Sequence, residues 1–350
     1  MRETKNLFKN KNTLLCCCLL LIIVIAVFIS LCIGRFTQVS IAAIPKILLH
    51  KVFPSIRQTW SATEENVIIY LRLPRIIAAL IVGASLAISG VSYQSLFKNP
   101  VASSDTLGVT ASASFGAILG MLFNVSPVGV KLIAFVVGCI VVMGVFLIAS
   151  KLSGGRNLTV FLILIGMVAS SVFQACLSVL KYIADPIDQL PKITYWLMGS
   201  FSNVTLSDLP FCILFFLIGA TPLLLLRWRQ NLLLLSDYEA KSVGENINRL
   251  RLITVVCATL LTASTVAMTG GIGWVGLVIP HIARMVVGSD SRKLLPASAL
   301  MGSLFLLVMD DIARSASVYE LPISVLTSLV GAPIFFAIMI RNRRQMRDGD

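Results

Sequence analysis

Long apolar runs without a charged side chain recur through this chain, and the first of them covers residues 14–34. A run of about 18 or more apolar residues is long enough to cross the roughly 30 Å hydrocarbon layer of a membrane as a helix. Because lipid offers no hydrogen-bond partners to an exposed backbone, repeated runs of this length predict helices rather than strands. The first run is also longer than the apolar region of a cleaved secretory signal, about 7–15 residues, which favours a retained span.

The composition agrees with a chain that lies in lipid. Of its 350 residues, 57% are hydrophobic and only 13% are charged, whereas a soluble domain carries roughly 25% charged residues. The net charge of +13 comes from Lys and Arg in loops and tail, as the positive-inside rule expects, so nucleic-acid binding is not predicted. The eight cysteines lie in apolar runs and form no C-x-x-C pair, so neither a metal site nor a disulfide framework is indicated.

Ten apolar runs are predicted to be spans, which makes the chain an all-α integral membrane protein with a single transmembrane domain over residues 1–350. Turns that are rich in Lys and Arg alternate with turns that are nearly free of them, and the positive-inside rule then places both termini in the cytoplasm. The cytoplasmic N-terminus would be residues 1–13, and residues 342–350 would form a basic tail. The ten runs are residues 14–34, 69–95, 106–123, 129–151, 157–181, 207–227, 248–268, 275–287, 294–313 and 322–341.

Two parts of this pattern differ from simple spans. The run at residues 275–287 is short, which suggests a broken or partly buried helix, and residues 35–68 form a long, mostly polar connection. Glycines are scattered through the spans rather than confined to turns, and small residues let membrane helices approach closely. The glycines expected at such contacts include Gly83, Gly90, Gly166, Gly276, Gly302 and Gly331.

One segment of mixed charge, residues 228–251, interrupts the apolar pattern between the sixth and seventh spans. It combines acidic and basic side chains with residues that favour helices. A membrane protein with one structured polar segment between spans offers a contact there to a soluble protein. We therefore predict that this segment receives force from a partner that hydrolyses nucleotide; an ordinary solvated loop is the alternative.

The sequence lacks the motifs that would make the chain an enzyme. It contains no G-x-x-x-x-G-K-[ST] loop for nucleotide phosphates, no H-E-x-x-H and no G-x-S-x-G. No catalytic residue is therefore predicted. The alternative function is an ion-coupled secondary transporter of a small solute, which would be expected to keep ionisable groups inside its spans. Here Asp310, Asp311 and Arg314 cluster at the end of the ninth span instead.

Three stretches resemble the permeases that import iron complexes and vitamin B12. LRLPRIIAALIVGASLAISGVSYQSLFKNPVASSDTLGVTASAS, from Leu71, looks like the second and third spans of that family. GGIGWVGLVIPHIARMVVGSDSRKLLPASALMGSLFLLVMDDIAR, from Gly270, is similar to its later half, and ELPISVLTSLVGAPIFFAIMI, from Glu320, completes the match. The resemblance covers most of residues 69–341, whereas residues 1–68 and 182–206 contribute little.

The resemblance implies a ten-helix permease of a type II ABC importer in the cell (inner) membrane, working by alternating access. Its partners would be a second permease copy, two cytoplasmic ATPase subunits that bind ATP and Mg²⁺, an extracellular or periplasmic substrate-binding protein, and membrane lipid. The chain itself would hold no cofactor. An iron-siderophore complex is the first expected cargo by family frequency, haem the second and cobalamin the third.

The resemblance also assigns residues to these partners. YEAKSVGENINRLR, from Tyr238, resembles the family's coupling segment, in which two short helices with a glycine break would form a rigid knob. Arg72, Arg75 and Arg314 match positions that receive acidic side chains of the binding protein, and guanidinium groups suit bidentate bonds to carboxylates; snorkelling of the arginine stems is the alternative. The coupling residues so implied are Ser236, Asp237, Glu239, Ala240, Ser242 and Gly244.

A gate is implied at the cytoplasmic end of the second span. By family position Asn99 and Val101 would narrow the inner mouth of the pathway, with Thr159 opposite at the start of the fifth span. Pro100, between Asn99 and Val101, stops the helix and leaves carbonyl groups free. Simple helix termination requires no more than this. Gating and simple helix termination therefore both remain open at these positions.

Three other side chains are expected to be structural. A metal or haem ligand needs company, and none is visible near His281 in the sequence, so we expect it to bond a neighbouring turn. Asp310 and Glu320 are expected to hold the outer ends of the ninth and tenth spans by pairing with nearby arginines.

Overall fold

The computed structural model describes residues 2–34, 40–53, 58–154, 157–235, 239, 242, 244–316 and 319–347. Regular structure in these ranges is helical, without a β-strand. The α-helices are α1 (Arg2–Cys32), α2 (Ala43–Val52), α3 (Ala62–Asn66), α4 (Leu73–Phe97), α5 (Val109–Leu122), α6 (Pro127–Ser153), α7 (Leu158–Ile183), α8 (Gln189–Leu197), α9 (Leu209–Leu225), α10 (Arg227–Gln230), α11 (Ile247–Thr269), α12 (Val275–Val287), α13 (Ser291–Ser315) and α14 (Ile323–Arg347). A π-helical turn, Val67–Arg72, joins α3 to α4, and 3-10 turns lie at Ser104–Leu107, Leu206–Asp208 and Asn231–Leu234.

Each predicted span corresponds to an apolar helix. Within the described residues, eight helical stretches are long and apolar enough to cross a membrane: Thr13–Cys32, Ala62–Phe97, Pro127–Ser153, Leu158–Ile183, Leu206–Leu225, Ile247–Thr269, Ser291–Ser315 and Ile323–Ile340. The other two predicted spans are shorter helices, α5 with 14 residues and α12 with 13. At 1.5 Å per residue each measures about 20 Å. The shortness of the eighth span is confirmed, and the third, predicted over residues 106–123, is an α-helix over Val109–Leu122.

Packing against α7 explains why α5 is short. After α4 the chain runs through the 3-10 turn Ser104–Leu107 and reaches α5 at Gly108, whose φ of +75° suits a residue without a side chain. This turn lies directly on α7, because a methyl group added at Gly166 would lie 2.2 Å from the carbonyl oxygen of Thr106. The backbone here follows the surface of α7 rather than continuing as a helix.

The prediction that residues 35–68 are a mostly polar connection is wrong for the part that contains α2 and Trp60. Ile44 and Ile47 of α2 are fully buried, at 0% and 1% exposure, and the ring of Trp60 packs against His50 with ring centroids 5.4 Å apart. Apolar residues at positions 43, 44, 47 and 48 have helical spacing. That spacing is the signal by which α2 could have been predicted.

Helix α4 lies at the centre of the bundle. In the most apolar part of the Ala62–Phe97 stretch 83% of the residues are buried, whereas in the most apolar parts of α1 and α7 only 17% are buried. One large apolar core surrounds its first half and includes Ile76, Val82 and Leu86 together with Leu306 of α13. The outer helices therefore offer their apolar faces to lipid or to another subunit, while α4 is enclosed by protein.

The backbones of α4 and α13 touch at two glycines. A methyl group added at Gly83 would lie 2.2 Å from the carbonyl oxygen of Gly302, and one added at Gly302 would lie 2.3 Å from that of Gly83. Further along α4, a methyl group at Gly90 would lie 1.9 Å from the carbonyl oxygen of Gly276 in α12. These contacts confirm the close helix approach that the scattered glycines predicted.

We expect Gly83→Ala to lower the thermal stability of the purified protein, because the added methyl group forces α4 away from α13. Overpacking of this kind costs typically about 1–3 kcal/mol. The matched control is Gly144→Ala in α6, where an added methyl group meets nothing within 4 Å. Unfolding midpoints measured in detergent by fluorescence-detected size exclusion should fall for the first variant only; equal midpoints would show that the α4–α13 contact is not tight.

Candidate functional site

A cluster of six charged side chains joins the start of α4 to the end of α13. We call it the arginine cluster; its members are Arg72, Arg75, Asp310, Asp311, Arg314 and Glu320. At its centre Arg75 donates from Nε to both carboxylate oxygens of Asp310, at 2.8 and 2.9 Å, and from Nη1 to both of Glu320, at 2.8 and 2.9 Å. The expected pairing of Asp310 and Glu320 with an arginine is confirmed. It connects α4 with the end of α13 and the residues before α14.

The other two arginines of the cluster hold the end of α1. Arg72 donates from Nη1 to the carbonyl oxygens of Leu31, at 2.5 Å, and Cys32, at 3.3 Å. Arg314 donates to the carbonyl oxygen of Ser30, at 2.6 Å, and to the carboxylate of Asp311. The last carbonyl groups of a helix lack intrahelical donors and carry partial negative charge. Guanidinium groups at this position therefore cap α1 and attach it to α4 and α13.

The three arginines predicted to dock a binding protein are thus buried and bonded within their own chain. Arg72, Arg75 and Arg314 are 4%, 8% and 6% exposed. Three carboxylates lie in the same cluster, so its formal charges cancel. The docking role of the arginines stays a prediction, and the role that the structure shows is to hold the ends of four helices together.

The predicted coupling residues are described only in part. Glu239 and Ser242 are helical and exposed, and the hydroxyl of Ser242 donates to the carbonyl oxygen of Glu239 at 2.7 Å. Gly244 lies in a turn with a φ of +80°, which confirms the glycine break. The remaining three, Ser236, Asp237 and Ala240, lie outside the described residues.

The two flanks of the coupling segment close on each other. We call them the coupling base: residues 226–235 on one side and 245–250 on the other. Leu232 and Leu233 pack with Ile247 and Leu250 in one apolar cluster, with Leu226 against it. Arg229 pairs with Glu245 on the other flank, with Nε and Oε1 3.1 Å apart. The two ends of the coupling segment therefore meet at one compact place.

Polar contacts attach the coupling base to α13 and α4. The amide of Asn231 donates from Nδ2 to the carboxylate of Asp290 at 2.9 Å and accepts from the backbone N–H of Ser291 at 2.8 Å. Lys98, at the end of α4, donates from Nζ to the carbonyl oxygen of Leu235 at 2.5 Å. Sequence reasoning missed Lys98, Asn231 and Asp290, because each bonds to a residue far along the chain.

Asp290 is held in its ionised form. It accepts a hydrogen bond from the backbone N–H of Arg292 at 3.0 Å and so caps α13. Partial burial opposes ionisation, but hydrogen bonds from Asn231 and Arg292 outweigh that effect and hold the pKa of the Asp290 carboxyl below its ordinary value. At neutral pH the contact with Asn231 therefore carries a full negative charge.

The predicted gate residues lie near the end of the bundle that carries the coupling base. The side-chain carbonyl of Asn99 accepts from the backbone N–H of Val101 at 3.0 Å, which closes a tight turn after α4. Thr159 follows Leu158, which packs in one apolar cluster with Phe97 and Ala102 from the end of α4 and the turn after it. The two parts of the predicted gate are therefore neighbours, and gating itself stays a prediction.

A cavity of about 190 Å³ lies beside α4, between the turn that precedes α5 and the loop that precedes α12. Its lining includes Ser103 and Asp105 from the turn and Ile272 and Trp274 from the loop. Trp274 has a φ of +69°, which is rare for a bulky residue. His281 of the following helix packs its ring against Phe335, with centroids 5.8 Å apart, and within the described residues its buried Nδ1 has no partner.

We expect Arg75→Ala to destabilise the protein by about 3–5 kcal/mol, because the carboxylate of Asp310, at 0% exposure, loses both hydrogen bonds from Arg75 and is left with Arg314, whose Nε lies 3.9 Å away. The readout is the unfolding midpoint in detergent. The control is Lys192→Ala, which removes a cation from an exposed pair with Asp188 and should change the midpoint little. Adding Asp310→Asn to Arg75→Ala should recover part of the loss; an unchanged midpoint in Arg75→Ala contradicts the role assigned to the cluster.

Comparison with known proteins agrees with this architecture. Residues 21–341 match the model of the FecCD transport family. The molybdate import system permease MolB of Haemophilus influenzae is 41% identical over 320 residues, which cover 91% of this chain and 93% of the relative. The hemin transport system permease HmuU of Yersinia pestis is 36% identical over 310 residues, with 83% and 89% covered.

The chain is also similar to a vitamin B12 import permease and to a solved transporter. BtuC of Vibrio cholerae is 35% identical over 323 residues, 89% of this chain and 93% of the relative. A structure described as an inward-facing metal-chelate type ABC transporter superposes with a TM-score of 0.82 at 39% identity, covering 93% of this chain and 98% of its own. This protein therefore belongs to the FecCD transport family and is an ABC importer permease.

Proposed function

We propose that this permease works in the cell membrane as one of two paired subunits, identical or closely related, and imports a metal-containing complex at the expense of ATP hydrolysed by two cytoplasmic partner subunits. The observation that carries the proposal is the compact coupling base, which attaches one polar segment to α4 and α13 through Lys98 and Asn231. A partner that displaces this segment displaces the two helices. ATP and Mg²⁺ belong to the partner, and the coupling end, with both termini, faces the cytoplasm.

An iron-siderophore complex is the first cargo to test. The relatives named above are a molybdate, a hemin and a vitamin B12 permease, so haem, cobalamin and molybdate follow. Molybdate widens the expected range, which contained only organic complexes. Because similar permeases carry such different cargoes, we place most of the selectivity in the substrate-binding protein, which loads the permease from outside.

We propose that this binding protein docks at the end that carries the arginine cluster. The family resemblance supports Arg72, Arg75 and Arg314 as its contacts, and their burial means that docking acids would have to exchange with the chain's own acceptors. At the opposite end, we propose that Asn99, Val101 and Thr159 narrow the cytoplasmic mouth. Their support is their common place beside the coupling base.

The distribution of buried charge argues against the ion-coupled alternative. The charged side chains that are buried in the described residues are Arg72, Arg75, Asp208, Arg251, Asp310 and Arg314. All of them lie within about six residues of an end of a predicted span. An ion relay needs ionisable groups across the middle of the membrane, and the described part of this bundle places its buried charges near the two faces.

The first test is uptake into sealed vesicles that contain the permease with its ATPase, supplied with loaded binding protein outside. We expect accumulation that requires ATP inside and persists when a protonophore collapses the proton gradient. The control omits the ATPase subunit. Uphill accumulation without that subunit, or loss of uptake with the protonophore alone, contradicts the proposal and favours an ion-coupled carrier.

The coupling assignment is tested by Glu239→Lys combined with Gly244→Val. A β-branched residue is strongly disfavoured at the φ of +80° of Gly244, so the knob should lose its shape while the membrane domain stays assembled. We expect uptake to fall at least about tenfold, which is the change that the loss of one or two hydrogen bonds with the partner would produce. Gly154→Val, at a φ of +53° in the turn after α6, is the matched control and should leave uptake near the wild-type level; full uptake in the double variant refutes the assignment.

A further inference from the structure

Asn231 occupies a particular position in the coupling base. It begins the 3-10 turn Asn231–Leu234 after α10, yet its side chain bonds to residues almost sixty positions further along the chain. Its Nδ2 donates to a carboxylate, that of Asp290, and its Oδ1 accepts from a backbone N–H, that of Ser291. Both ends of the amide are engaged by α13, so the side chain cannot turn over without losing both bonds.

The helix that Asn231 holds is suited to carry a displacement across the membrane. Asp290 is the N-cap of α13 and Ser291 its first residue, so the contact is made at the helix end itself. The helix has 25 residues and is therefore about 37 Å long. Its far end is held in the arginine cluster through Asp310 and Arg75.

The coupling base contacts both α13 and α4, and these two helices also contact each other. Asn231 binds the start of α13, and Lys98 at the end of α4 binds the backbone of Leu235 four residues on. Between these points and the arginine cluster, α4 and α13 touch at Gly83 and Gly302. The pair therefore moves as a unit when its coupling end is displaced.

The apolar contacts of the coupling base serve a different purpose. Leu232 and Leu233 pack with Ile247 and Leu250, which belong to the start of α11. These contacts close the two flanks on each other and are not directional. Hydrogen bonds to a charged carboxylate and to a backbone N–H are directional and charge-assisted, so the Asn231 contact fixes where the base sits on α13.

We propose that Asn231 and Asp290 form the joint that passes the displacement of the coupling segment to α13. The proposal rests on the proposed function, since it assumes an ATP-driven partner at this segment. Asn231 is a positioning residue: it touches neither cargo nor nucleotide. When the Asn231 contact is lost, movement of the partner no longer displaces the helices, so ATP continues to be hydrolysed while less cargo is moved.

The test uses the complete transporter in vesicles, with the ATPase subunits, the binding protein and the cargo that wild-type protein accumulates. The measured quantity is the number of cargo molecules imported per ATP hydrolysed, together with the hydrolysis rate itself. We expect Asn231→Ala and Asn231→Asp to lower this ratio about tenfold, the change expected for one lost charge-assisted hydrogen bond, while hydrolysis stays within about twofold of wild type.

An exchange of the two side chains makes the test specific. Asn231→Asp alone sets two carboxylates against each other, but Asn231→Asp combined with Asp290→Asn reverses the polarity of the bond. The carboxylate then accepts from the new amide and from the backbone N–H of Ser291. The amide nitrogen replaces the oxygen that also accepts the capping N–H of Arg292, so the exchanged pair should restore the ratio in part. The matched control is Ser126→Ala, because Ser126 also caps a helix, by accepting from the N–H of Gly129 at 3.2 Å, but lies outside the coupling base.

Each outcome decides the matter. A wild-type ratio in both Asn231 variants, a loss that the exchanged pair does not restore even in part, or an equal loss in Ser126→Ala overturns the joint while import by the wild type upholds the proposed function. If the wild-type complex accumulates no cargo with ATP, the proposed function fails and the joint with it. If Asn231→Asp does not assemble, Asn231→Ala and the exchanged pair carry the comparison.

Discussion

The close approach of α4 and α13 is the constraint on which the rest of the structure depends. At Gly83 and Gly302 the two backbones are in contact with no side chain between them, so neither helix can move far without the other. In lipid, where helices gain little from the hydrophobic effect, such van der Waals contact is a main source of association. The remaining helices pack around this pair, and both polar ends of the molecule are attached to it.

Polar and charged contacts hold both ends of this helix pair. An unpaired buried carboxylate or guanidinium is costly, whereas a well-bonded pair is tolerated and fixes geometry. Arg75 bonds two carboxylates from separate places in the chain, and the cluster around it holds four helices at one end. At the other end a single amide and a lysine connect the same two helices to the coupling base. One end is therefore held by strong ionic contacts and the other by fewer bonds that a partner can act on.

The sequence was sufficient for most of the fold and for part of the site. Long apolar runs determine spans because lipid leaves the backbone no alternative, and the pairing of Asp310 and Glu320 with arginine followed from residue type and position. The shortness of α5 could not be predicted, because it comes from packing of the preceding turn on Gly166. The burial of Arg72 was equally hidden, since its acceptors are carbonyl groups at the end of α1, and no sequence pattern reveals that this helix end lies beside Arg72. The same reason hid Asn231, whose partners are distant in the chain.

The two short helices have a consequence for how the permease can change shape. Helices α5 and α12 each measure about 20 Å, so irregular backbone before each of them must lie at membrane depth, where it is tolerated only if protein or water satisfies it. The cavity of about 190 Å³ between these two segments provides such a setting. A continuous helix bends sharply only where its hydrogen-bond ladder is interrupted, whereas a turn and a loop beside an open space can rotate about single bonds. The backbone that can change conformation most easily therefore lies at a depth where lipid alone would not tolerate irregular structure.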